Sequence, residues 1–235
     1  MTIKQRVTRL DWQAIEAALW EQGYVKTAPL LTQDECTRLV ALYPRDRRFR
    51  SRVDMARYRF GVGEYKYFAD PLPLIVQQLR VHLYPHLAAI ANRWMAALGQ
   101  ADRFPATFSA FAEYCHANRQ VKPTPLMLSY TTDGYNCLHQ DLYGQIVFPL
   151  QLTCFLSQRE VDYTGGEFLL VEQRPRAQSR GVAITTEQGE MLIFPTQSRP
   201  VAGKRGHYRA IMRHGVSRIL SGSRYTLGII FHNAK

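Results

Sequence analysis

The chain has 235 residues, 46% of them hydrophobic, and a formal net charge of +11. That length and apolar share suit one domain with a buried core, and no apolar run approaches the roughly eighteen residues needed to span a bilayer. The N-terminus MTIKQRVTRLDW has cations but no apolar stretch behind them, and Cys36, Cys115, Cys137 and Cys154 are too scattered for a disulfide scaffold or a zinc knuckle. No signal peptide and no membrane partner are therefore expected, and a reduced cytoplasm fits.

In chain order, the first hundred or so residues predict mostly helix. Asp11 caps a helix whose Trp12, Ile15 and Leu19 share a face, with Gly23 as its stop. Thr32-Gln33-Asp34-Glu35 spells a capping box, with Leu31 and Cys36 placed as a hydrophobic staple. Cys36, Leu39, Val40 and Tyr43 then follow at helical spacing, which makes Cys36 a core residue. Next comes PRDRRFRSRVDMARYRF, residues 44–60, with seven arginines against two aspartates and with Phe49, Tyr58 and Phe60 interleaved. From Pro73, Ile75, Leu79, Leu83, Leu87, Ile90, Trp94 and Leu98 keep one apolar face, and Pro85 predicts a kink or two consecutive helices. A further short helix is expected over 108–118, with His116 on its surface.

After Pro125 the texture changes to short β-rich runs between turn signals: PLMLSYTTDGY, QIVFPLQLTCFLS, TGGEFLLVEQ, GVAITTEQGEMLIFPT and MRHGVSRILSGSRYTLGIIFH. Closely spaced strands of this kind predict an antiparallel sandwich or barrel, so the fold class is α+β, a jelly-roll-like core behind a helical flank. Within this half, residues 199–218 carry six cations and no acid. The two basic blocks together account for the whole +11. A polyanion such as nucleic acid fits that pattern, and so does a plain solvated surface.

The chemistry concentrates in YNCLHQDLYG. Residues two apart on a strand face the same side, so His139 and Asp141 can both point into the mouth of the core. His214, in a later strand-like run, completes two histidines and a carboxylate, the facial set that binds non-haem iron and leaves open positions. Arg224 follows ten residues on. A buried guanidinium beside such a site needs a carboxylate, and a diacid such as 2-oxoglutarate brings one: its keto-acid end chelates iron and its distal carboxylate pairs with the arginine. Thr226 lies on the same face and can add a hydroxyl bond.

The sequence His139-x-Asp141, His214, Arg224 and Thr226 closely resembles the Fe(II)/2-oxoglutarate-dependent dioxygenases over about residues 125–232. The resemblance implies a double-stranded β-helix core, Fe(II) held by His139, Asp141 and His214, and 2-oxoglutarate held by Arg224 and Thr226. It also implies dioxygen as second cosubstrate and matches Tyr130 to a tyrosine that lines the cosubstrate pocket. YNCLHQDLYG, TGGEF, EQRPR, RHGVSR and LGIIFH, with upstream FRSRV and GEYKYF, further resemble an uncharacterised bacterial group predicted to modify nucleic acids. On that likeness residues 1–235 form one oxygenase unit, with 1–120 mainly helical flank and 121–235 the core.

Two departures bear on substrate. Dealkylases of the AlkB type carry asparagine two before the tyrosine, where this chain has Leu128, and prolyl hydroxylases usually carry tyrosine at Asn136. The expected activity is therefore hydroxylation or oxidative dealkylation, first of nucleic acid. A prolyl-type protein hydroxylase and a non-catalytic metal or 2-oxoglutarate sensor stand as alternatives. Arg47, Arg48, Phe49 and Arg50 are the expected substrate contacts. His207 is read as loop surface, His232 as structural and Glu167 as the partner of a nearby arginine. Oligomeric state stays open, a homodimer included.

Overall fold

The computed structural model describes residues 1–235. Helix α1 (Ile3–Thr8) is followed by α2 (Trp12–Glu21), where the Asp11 carboxylate accepts the Ala14 N–H at 2.9 Å. Helix α3 (Gln33–Val40) opens with the expected reciprocal capping box between Thr32 and Glu35. Glu35 also takes both arms of Arg6 at 2.6 and 2.7 Å, which fastens α1 to α3. Leu31 and Cys36 are buried as the staple requires, and burial pushes the Cys36 thiol up to about 11.

The flank is less helical than the sequence predicts. Strands β1 (Val25–Lys26), β2 (Phe49–Asp54), β3 (Gly61–Val62) and β4 (Glu64–Phe68) all join the sheets of the core. In β4 the two-residue period is hidden because both faces carry large side chains. Tyr65 and Tyr67 line an internal cavity, while Lys66 and Phe68 pack against Tyr43 and Phe49 behind it. Helix α4 (Leu74–Ala97) runs unbroken through Pro85, contrary to the expected division. Leu83, Tyr84, Leu87 and Ala88 are all essentially inaccessible and hold this turn in the core, while Pro85 and Val81 lie on the exposed face, where water can reach the carbonyl that lacks its donor. Helix α5 (Phe108–Ala117) completes the layer.

The core strands are β5 (Leu126–Thr131), β6 (Tyr135–His139), β7 (Leu150–Phe155), β8 (Tyr163–Gly165), β9 (Phe168–Gln173), β10 (Arg180–Ile184), β11 (Met191–Pro195), β12 (Ser198–Gly203), β13 (Gly206–Val216) and β14 (Ile219–Ile229). One sheet runs β1-β11-β7-β14-β5-β4-β2, with β8 also on β14. The other runs β10-β9-β13-β6-β3, with β12 also on β13. Every pairing is antiparallel. Phe155, Leu192 and Phe194 of the first sheet meet Phe168, Leu170 and Met212 of the second in one cluster, so the sheets face each other as a jelly roll. The back of the larger sheet presents Leu150, Leu152, Cys154, Ile193 and Leu227 to the helices, a single core that includes Tyr84, Trp94 and Phe111. Covered on both faces, β7 is buried at every residue, the polar Gln151 and Thr153 included.

Candidate active site

The smaller sheet brings the histidines together. His214 in β13 sits directly opposite His139 at the end of β6, and their ring centroids are 4.2 Å apart. Along β13, Arg213 points to solvent and His214 inward, as alternation dictates. Asp141 lies just beyond β6, not on it. Its inward aim comes from Gln140, whose amide donates to the Gln197 and Met212 carbonyls, each at 2.9 Å, and so turns the next residue into the cavity.

The Asp141 carboxylate is 3.6 Å from His139 Nε2 and 3.2 Å from His214 Nε2. Ligand atoms of the three residues all lie within 4.8 Å of one another. His139 Nδ1–H donates to the Cys137 carbonyl at 2.8 Å, which fixes the tautomer that leaves the Nε2 lone pair free. Burial, with His214 beside it, lowers the His139 pKa and keeps the ring neutral as a ligand must be. Burial works against the Asp141 anion, but His214 and His139 outweigh it and hold the carboxyl well below its usual range. The Tyr143 hydroxyl donates to Asp141 Oδ1 at 2.7 Å, and the His214 ring lies parallel to Phe168.

The cavity around these groups holds about 360 Å³, enough for a small organic acid and part of a larger substrate. Arg224 enters it from β14, 1% exposed, and none of its Nε, Nη1 and Nη2 atoms has a partner. Aromatic rings surround it, with the guanidinium 5.5 Å from Phe155, 5.7 Å from Tyr163 and 5.8 Å from Tyr130. A buried cation with three unmet donors lacks an anion, and 2-oxoglutarate fits because Arg224 and the triad line one cavity and a diacid carries a carboxylate for each. Thr226 lines the same wall, 2% exposed. Tyr130 stands opposite Arg224 across β5 and β14 and accepts a hydrogen bond from Asn136 at 3.2 Å.

The structure thus brings together His139, Asp141, His214, Arg224, Thr226 and Tyr130, but not residues 47–50. Arg47 and Arg48 are exposed, while Phe49 is half-buried and stacked on Phe68 at 4.7 Å. Arg50 donates to the Pro123 carbonyl at 2.9 Å and lies over Tyr67. Within the second basic block, Arg199 is buried in a pair with Glu172 at 2.7 Å and ties down the end of α2. Glu167 bonds to Ser217 where an arginine is expected, and His232 is fully buried, accepting the Phe148 N–H. His116 and His207 are exposed. Tyr143 and Gln151 go unnoticed in the sequence. Tyr143 sits in an irregular segment with no pattern, whereas Gln151 was discernible as an amide inside the apolar run LQLTCF; its Nε2 is buried, faces the cavity and has no partner.

The jelly roll, the triad and the unpaired buried arginine together fit the class of iron(II)- and 2-oxoglutarate-dependent oxygenases. Residues 63–234 match the model of the family Oxygenase-NA, described as an oxygenase catalysing oxidative methylation of damaged DNA, and the chain belongs to that family. Uncharacterized proteins from two strains of Mycobacterium tuberculosis are each 51% identical over 167 residues, which is 71% of this chain and 72% of theirs. Among solved structures, a 2OG-Fe(II) oxygenase-family oxidoreductase from Burkholderia pseudomallei superposes with a TM-score of 0.57 at 13% identity, covering 96% of this chain and 94% of that one. A Pseudomonas putida prolyl-4-hydroxylase gives 0.56 at 13% identity, covering 95% and 100%. No helix is long and apolar enough to cross a membrane.

Proposed function

We propose that the chain is an oxygenase of nucleic acid, hydroxylating or oxidatively dealkylating a modified base. In this reading His139 Nε2, the Asp141 carboxylate and His214 Nε2 hold Fe(II), and Arg224, Thr226 and Tyr130 hold 2-oxoglutarate. With both bound, the metal centre couples decarboxylation of 2-oxoglutarate to succinate with delivery of one oxygen atom to a substrate C–H bond. Oxygen delivered to a methyl carbon on nitrogen releases that carbon as formaldehyde, so the oxidative direction at damaged DNA is demethylation.

The protein's own residues set the geometry. Tyr143 steadies the carboxylate, the Cys137 carbonyl fixes His139, and Phe168 and Phe194 keep water from the inner face of His214. Residues 1–235 act as one unit, because strands from the flank complete both sheets. The four thiols, all free, fit a cytoplasmic setting.

The observation that carries the substrate reading is the composition of the cavity wall. Asp141 is its one carboxylate, and Arg59 and Phe60 stand at the rim, a lining that suits an anionic, aromatic substrate. The test is succinate formation from 2-oxoglutarate with Fe(II) and oxygen in the presence of methylated single-stranded DNA, duplex DNA, RNA or proline-rich peptides, with His139→Ala as control. Turnover that depends on His139 and rises with a nucleic acid is expected. A rise with peptides alone refutes the substrate reading in favour of a protein hydroxylase, and no turnover with iron bound favours a sensor.

A further inference from the structure

We propose that residues 55–62 form an aromatic and cationic platform that seats an unpaired base and its neighbouring phosphates of a single-stranded nucleic acid at the cavity mouth. The inference rests on the nucleic-acid reading and names the strand form and the residues that receive it.

The segment is a strap between β2 and β4. Met55 anchors it, 1% exposed among Tyr130, Tyr163, Val216 and Ile219. The Met55 N–H donates to the Gly63 carbonyl, and its own carbonyl accepts from the N–H groups of Tyr58 and Phe60 at 3.1 and 3.0 Å, closing a tight loop. At its far end the strap lies on the strand that carries His139. Gly61 pairs with Asn136 and Val62 with Tyr135, and Cys137 N–H donates to the Phe60 carbonyl at 2.8 Å. A Cβ on Gly61, whose φ is +133°, would sit 2.3 Å from the Tyr135 carbonyl oxygen, so only glycine lets the strap lie this close. Cys137 is also the residue whose carbonyl orients His139. The platform is thus registered to the metal-binding set through a single residue.

What the strap displays is unusual for an unpartnered surface. Tyr58 is 57% exposed and Phe60 47%, and their rings stack on each other with centroids 5.6 Å apart and planes 21° from parallel. Arg57 and Arg59 alternate with them, both exposed and neither in an ion pair. The nearest acid along the chain, Asp54, is occupied as an acceptor for the Ala56 N–H at 3.0 Å. Val62, Tyr135 and Leu138 extend the apolar surface toward the cavity, which Arg59, Phe60 and Leu138 line. Water-exposed stacked rings between free guanidinium groups match a ligand that alternates π-faces with anions. A duplex hides its base faces in its own stack, whereas an unpaired strand offers them, and one base can continue into the cavity. The platform also explains why Phe49 is unsuited to this work: its ring is spent on Phe68.

The test is anisotropy of a labelled single strand of about ten nucleotides against wild type and strap variants, with melting temperatures as the folding control. Tyr58→Ala and Phe60→Ala should each weaken binding by about 5- to 150-fold, since stacking on one aromatic contributes that range. Tyr58→Phe should bind within about twofold of wild type, because it keeps the π-face. Tyr58→Leu keeps apolar bulk without the π-face and should bind like the alanine variant, which supplies the answer if alanine disturbs folding. Arg57→Ala should lower the slope of log affinity against log salt by about 0.7. Wild-type binding that is indifferent to Tyr58→Leu and Phe60→Ala overturns the platform and leaves the nucleic-acid reading intact. So does equal affinity for a perfect duplex. No wild-type binding to any nucleic acid, or a strap that matters only for peptides, overturns both.

Discussion

Replacing Arg224 with Met separates a cosubstrate anchor from a structural strut. The guanidinium is 1% exposed, its three nitrogens have no partner, and its protein neighbours are rings at 5.5 to 5.8 Å. Each such contact contributes about 0.5–2 kcal/mol, against several kcal/mol for taking an unpaired cation out of water. Met keeps the unbranched apolar stem and drops the guanidinium end, so the protein without cosubstrate should be as stable as wild type or up to about 2 kcal/mol more stable. Toward 2-oxoglutarate the sign reverses. Removing one partner of a desolvated charge pair costs about 2–5 kcal/mol, which raises the KM for 2-oxoglutarate roughly 30- to 5,000-fold. The assays are succinate formation against cosubstrate concentration and thermal melting with and without 2-oxoglutarate, in the presence of a redox-inert divalent cation. Wild type should melt higher with cosubstrate and Arg224→Met should not. A variant that melts several degrees lower on its own and keeps its KM would refute the assignment and make Arg224 a structural residue.

Tyr143→Phe removes the hydroxyl that donates to Asp141 Oδ1 and should weaken divalent-metal affinity by about 10- to 100-fold, measured by calorimetric titration; unchanged affinity would remove Tyr143 from the site. Phe49→Ala should cost about 2–4 kcal/mol in denaturant unfolding, because its half-buried ring stacks on Phe68, while nucleic-acid affinity stays within about twofold. A loss of binding without loss of stability would restore it as a substrate contact. His232 is buried and its pKa falls to about 4, so the folded state holds fewer protons than the unfolded chain as pH drops from 6.5 to 4. Its share of stability, about 3 kcal/mol, is therefore complete above pH 6.5 and lost as pH falls toward 4; His232→Gln should flatten that part of the stability–pH curve, and an unchanged slope would rule the group out. Gly61→Ala should destabilise by about 1–3 kcal/mol through the clash with the Tyr135 carbonyl, read as a lower melting temperature.

Several features were legible in the chain because their signals are local. The capping box at Thr32, the staple of Leu31 and Cys36, and the apolar stripe of α4 each depend on residues within one or two helical turns. The strands β2 and β4 were not legible in this way. In EYKYF both faces bury aromatic or long side chains, so the period of two does not appear as polar against apolar. Pro85 does not divide α4, because it lies on the exposed face of the helix while Leu83, Tyr84, Leu87 and Ala88 bury the other face in the core. Composition groups Arg199 and Phe49 with their exposed neighbours, but Arg199 is buried and the half-buried Phe49 ring is stacked on Phe68.

Residue order alone determined the inventory of the chemistry. His139, Asp141, His214, Arg224 and Thr226 can be picked out because each needs a particular functional group, and for Arg224 and Thr226 the two-residue spacing within β14 fixes the face they share. Only the tertiary structure decided that the two histidines stand opposite each other, that Gln140 turns Asp141 inward after its strand has ended, and that Arg224 has no protein anion. It also decided that Arg59 and Phe60, not Arg47 to Arg50, line the cavity. The physical reason is that strand register is set by hydrogen bonds between residues far apart in the chain, and burial by what packs above them. Neither leaves a mark within a short window of sequence.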